Sequence, residues 1–149
     1  MEADDIQRSL RTLIEALVPP QGNFLVLGLI NRADPDNHPE AVADWARWIA
    51  ECNQTLRTTY PNNFIELQPR FAAPATDSNF GYRTRDLIKT ATPAQIKRDA
   101  SDQALGVLPL SLRALENSTH LNGIGYTMVE NLAYEWTLQH GWYTALHSK

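Results

Sequence analysis

A single cysteine, Cys52, is all the thiol chemistry this sequence holds. An internal disulfide framework is therefore excluded, and no Cys/His cluster has the spacing of a zinc site. Long apolar runs are equally scarce. The longest, residues 24–30, has seven residues, far short of the roughly 20 that cross a bilayer as a helix. The first residues are acidic rather than basic, so no signal peptide is expected. Positive charge is short too: 13 Lys and Arg stand against 17 Asp and Glu, a formal charge of −4 at pH 7. That balance supplies no field to draw in nucleic acid or an anionic membrane. No internal repeat or low-complexity tract is present. What remains, 43% hydrophobic and 20% charged residues, is the composition of a soluble globular chain. Its 149 residues suffice for one domain, here residues 1–149, burying roughly two thirds of its unfolded surface.

Hydrophobic periodicity divides the chain into alternating elements. Residues 4–18 place Ile6, Leu10, Leu13, Ile14 and Leu17 on one helical stripe, stopped by Pro19 and Pro20. The run 24–30 lacks alternation, which is the pattern of a strand buried on both faces of a parallel sheet. Pro39 then opens a helix whose stripe is Val42, Trp45, Ile49, Cys52 and Leu56. Residues 63–67 read as a second short strand. Helix, strand, helix, strand predicts a layered α/β fold with a parallel sheet. Prolines at 69, 74 and 93 break the pattern until residues 92–104, a short helix with Thr92 as cap and Pro93 at its first position. The last strong stripe, Tyr126, Val129, Leu132, Ala133 and Trp136, predicts a helix over residues 123–140, terminated by Gly141. Two strands make a poor sheet, so neighbouring strands are expected from another chain or another copy.

The densest chemical signal is Asn117-Ser118-Thr119-His120-Leu121-Asn122-Gly123-Ile124-Gly125-Tyr126, directly before that helix. It resembles the last block of SGNH (GDSL-type) serine hydrolases, where an Asp, two variable residues and a His precede a Leu-Asn-x-x-Gly-Tyr helix start. The order of weaker pieces agrees: residues 24–31 resemble a central strand of the family, Cys52-Asn53-Gln54-Thr55-Leu56 its Asn-x-x-Leu helix, residues 64–67 the next strand, and residues 108–113 the lead into the last block. The resemblance covers residues 20–140. It implies a three-layer SGNH/flavodoxin-like parallel sheet, incomplete in this chain, with His120 as general base and Asn117 in the position of the acid that orients it. A serine hydroxyl needs such a base, and the base needs a third group to set its tautomer.

Three departures define what the chain should lack. No Gly-Asp-Ser nucleophile block is present, and Ser9, Ser78, Ser101, Ser111, Ser118 and Ser148 sit in no such context. The blocks supplying oxyanion donors are missing as well. Asn117 stands where the pattern has Asp, an exchange that costs about 10⁴ in rate in a serine protease triad. Other residues have ordinary readings: Cys52 as a small buried hydrophobe, Trp45 and Trp48 divided between core and surface, Arg83, Arg85 and Lys89 as a solvated loop, and Asn122 as a helix cap. His38, His140 and His147 are given no role.

The expected function is thus the carboxy-terminal segment of an SGNH-type esterase, acting on an acetyl group of a carbohydrate or another short acyl ester and inactive alone. No metal or organic cofactor is required. A noncatalytic domain that keeps the framework for binding or assembly is the alternative, and an unrelated α/β domain a third. Either of the first two calls for a homo-oligomer or for a chain supplying the missing amino-terminal part, because an open strand edge exposes unpaired backbone groups.

Overall fold

Local signals in the sequence account for each helix of the computed structural model, which describes residues 3–18, 23–71, 92–114 and 120–142. Helix α1, Ala3–Leu17, carries Asp4 and Asp5 in its first turn, where carboxylates favour the positive end of the helix dipole. Helix α2, Pro39–Thr59, begins at its proline. It is preceded by a turn in which the Asp34 carboxylate accepts from the amides of Asp36 and Asn37. Helix α3, Pro93–Ala104, opens with a full capping box: Thr92 Oγ1 accepts from Gln95 N, and the Gln95 side chain accepts from Thr92 N. It ends at Gly106, whose φ of 68° lies in the left-handed region that suits glycine. Helix α4, Gly123–Gln139, is capped by Asn122, whose side chain accepts from Gly125 N.

The strands are much shorter than their apolar runs. Strand β1 is Val26–Leu27 and β2 is Phe64–Ile65, paired in parallel with Val26 beside Phe64 and Leu27 beside Ile65. Parallel pairing across an intervening helix is what the element order predicts; the extent of the sheet is not. The expected three-layer α/β sheet is corrected to a mostly helical domain with a two-stranded sheet, four α-helices being present among the described residues. The physical reason is visible at the strand ends, where side chains replace the ladder. Asn53 of α2 accepts from Leu29 N and donates to Leu29 O at 2.7 and 2.9 Å. Gln68 accepts from Asn31 N at 2.6 Å and donates to Gly106 O at 3.0 Å. Nor is β1 buried on both faces, since Leu27 is 38% exposed.

The core lies on the β2 side. Ile65, Leu67, Phe71, Leu108, Leu112 and Met128 form one buried cluster, with Leu25, Ile30, Leu121, Ile124, Val129, Leu132 and Trp136 packed around it. Helix α4 and the 3-10 turn Leu110–Leu112 close over β2. A second contact joins α1 to α2, where Gln7 donates to Thr59 Oγ1 at 2.9 Å. No helix among the described residues is long and apolar enough to cross a membrane.

Candidate functional site

The head of α4 packs on the 3-10 turn Leu110–Leu112, which two buried carboxylates of α3 hold in place. Asp99 and Asp102, three residues apart on one face of α3, are both buried. Asp99 accepts from Ser111 N at 3.0 Å and from Ser111 Oγ at 2.5 Å. Asp102 accepts from Leu110 N at 2.9 Å and from Arg98 Nε at 3.0 Å, with an Arg113 guanidinium nitrogen at 3.5 Å. Arg113 in turn donates from Nε and a terminal nitrogen to Leu108 O, at 2.9 and 2.6 Å. These bonds satisfy both buried charges, as charge burial demands. Burial pushes the Asp102 carboxyl above the usual aspartate value, and the two guanidiniums only partly oppose it. Arg98 holds its proton more firmly than usual, chiefly through its bond to Asp36.

That frame fixes residues 108–113, and they fix the segment around His120. Arg113 and Leu121 form an antiparallel bridge. Ala114 N donates to His120 O at 2.9 Å, and Asn122 N donates to Leu112 O at 2.8 Å. The Asn122 side chain works in both directions, donating to Ser111 O at 2.6 Å while capping α4 through Gly125 N. Gly125 is required by close approach: a Cβ there would lie 3.0 Å from Leu121 Cβ and 3.1 Å from Leu112 O. His120 is therefore held at its own carbonyl and, two residues on, at Asn122 N, and it is exposed. Leu108 N donates to Asn31 O at 2.7 Å, which ties this frame to the segment that follows the carboxyl end of β1.

Asn117, expected to orient that imidazole, lies outside the described residues, as do Ser118, the cluster of Arg83, Arg85 and Lys89, and His147. Ser111 is half-buried and committed to Asp99, which sets it in the frame. His38 precedes α2 with Glu40 3.5 Å away. His140 stacks on Trp136 with ring centres 3.6 Å apart and its Nδ1 2.8 Å from Trp136 O. Cys52 is 1% exposed and burial pushes its thiol up, away from the reactive thiolate. Among the described residues no group of three or more His, Cys, Asp and Glu side chains could hold a metal ion.

A concavity of about 970 Å³ lies between α1, α2 and the segment after β1. Its walls include Ile6, Leu29, Ile30 and Ile49, with Trp45 and Trp48 edge to face at 5.4 Å. At its rim Asp34 is held below the usual aspartate value, mainly by the Asn37 side-chain amide.

Sequence reasoning did not find the buried network of Asp99, Asp102 and Arg113. Its signal was present as two acids three apart on the polar stripe of a short helix, followed by Arg113 in a leucine-rich turn, but charges in that pattern usually mark a solvated face. Compared with protein-family models, with curated proteins and with solved structures, the chain matches none.

Proposed function

We propose that this chain carries the histidine part of an SGNH-type ester-hydrolysing site, completed by a nucleophile on another chain. The parent reaction is hydrolysis of an acetyl or other short acyl ester. In it a serine hydroxyl supplied by the partner gives its proton to His120 as its oxygen bonds to the ester carbonyl carbon. The imidazolium returns that proton to the departing alkoxide, and water repeats the cycle to release the acid and the serine. By the sequence resemblance Asn117 stands where the family has its orienting acid, and an amide there could hold the ring but not stabilise its charged form as a carboxylate would.

The observation that supports this reading is the setting of His120. It is exposed, it stands shortly before α4, and main-chain hydrogen bonds hold it at its own carbonyl and at Asn122 N. The test is hydrolysis of p-nitrophenyl acetate. Purified chain should be no faster than free imidazole at equal concentration. Adding a polypeptide that bears a Gly-Asp-Ser block and its oxyanion donors should raise the rate by several orders of magnitude, because nucleophile and oxyanion hole act as a unit. His120→Ala should abolish that gain. Strong activity from the isolated chain that survives His120→Ala would overturn the assignment.

A second reading, a noncatalytic domain used for binding or assembly, is favoured by a different observation. Leu13, Leu17, Trp45, Tyr126, Tyr134 and Leu138 are all exposed and offer apolar surface to a partner. Association without any gain in ester hydrolysis would decide for it.

A further inference from the structure

We infer that the open edge of β1 pairs with the same edge of a second copy, joining two chains about a dyad at Val26. This pairing does not rest on the hydrolase reading, because it follows from backbone chemistry alone. Val26 N and Gly28 N donate to Asn63 O and Ile65 O, so the even-numbered residues of this segment spend their main-chain groups on β2. By the two-residue period of a strand, the groups of Leu25 and Leu27 face the other way. Among the described residues no hydrogen bond reaches them. The opening is bounded on both sides. At one end the Leu29 N–H and C=O are taken by the Asn53 amide, and at the other Phe24 O accepts from Asn63 Nδ2. Two adjacent outward-facing residues are left, and although β1 is short, residues 23–30 contain no lysine, no proline and no charge to guard them.

The occupant that fits is β1 itself. Run antiparallel about Val26, Leu25 of one copy lies opposite Leu27 of the other, so each open N–H meets an open C=O and both edges close at once. The side chains brought together are leucines and valines, and the exposed Leu27 is covered. No charge is buried by the pairing, since none lies in residues 23–30. A foreign strand would satisfy this edge but leave its own far edge open, whereas an isologous pair closes the assembly.

Sedimentation equilibrium of the full chain across the micromolar range tests the pairing, with hydrogen exchange of the Leu25 and Leu27 amides read at each concentration. A dimer is expected, with those two amides slowing as it forms. Each copy carries a formal charge of −4, so added salt should strengthen it by screening repulsion. Leu27→Lys should weaken association by about tenfold or more with the helical circular dichroism unchanged, while Leu27→Ile retains it. A monomer throughout the range would overturn the inference. So would a dimer that Leu27→Lys leaves intact, or exchange at Leu25 and Leu27 that ignores concentration, either of which places the contact elsewhere. Pairing of this edge with an added foreign strand but never with itself would overturn the choice of occupant.

Discussion

The two ends of this molecule use the same sequence device with opposite results. Helix α1 and helix α4 are both read from an apolar stripe, yet no described side chain of α1 is buried, with Leu13 and Leu17 at 54% and 75% exposure. On α4 the stripe is shifted, Tyr126 being exposed and Met128 buried in its place. Helix α4 sits on Leu108, Leu112 and Ile65, and its Met128 is fully buried. The difference is not helix quality. Around α4 the chain supplies both an apolar floor and a polar frame, Asp99, Asp102 and Arg113, that fixes the floor in place. Around α1, among the described residues, the main packing partner it supplies is α2. A stripe tells that a helix expects a partner, and only the rest of the chain tells whether the partner is present.

Removing the frame should have the largest effect. Asp102→Ala leaves the Leu110 amide without its carboxylate acceptor and removes the negative charge beside the buried Arg113, which keeps its bonds to Leu108 O. Loss of one partner of a buried pair costs about 3–5 kcal/mol. Urea unfolding should show that loss as a lower midpoint with an unchanged slope. A cost near zero would mean that the two ends are not distinguished by this network. Gly125→Ala is next. An alanine here gains up to about 1 kcal/mol of helix propensity but must push against Leu121 and the Leu112 carbonyl, at a cost of about 1–3 kcal/mol. A net loss in thermal stability is expected, and a gain would show the contact to be loose. Leu17→Gln should be nearly silent, within about 0.5 kcal/mol, because the side chain is already in water. A clearly larger loss at high protein concentration would show that α1 is covered by a partner, and the contrast between the ends would then belong to the isolated chain alone.

Much of this was legible in the sequence where chemistry is local. Pro39 marks the start of α2, Thr92 and Pro93 that of α3, and Asn122 caps α4 as its position before Gly123 predicts. Parallel pairing of two apolar runs across a helix was legible as well. The size of the sheet was not, because an apolar run reports burial and says nothing of what satisfies its backbone. Here Asn53 and Gln68 do so in place of neighbouring strands. The frame beneath His120 was hidden for a related reason: acids on a helix read as solvated until a distant turn, Leu110–Leu112, is known to fall on them. His120 itself was legible only through its flanking pattern, and Asn117 lies outside the described residues.

The side chain of Gln68 has a consequence for how the chain finds this arrangement. Leu108 must reach Asn31 across most of the molecule, and closing a long loop costs entropy that grows as the logarithm of its length, about 0.6 kcal/mol for each doubling. Gln68 holds Asn31 N at a separation of 37 residues and Gly106 O at a separation of 38. One long closure is thereby divided into two of nearly equal length. Whichever forms first shortens the remaining Asn31-to-Leu108 closure to about half its length, so a single amide at the midpoint of the loop offers a route by which these two segments can assemble in steps.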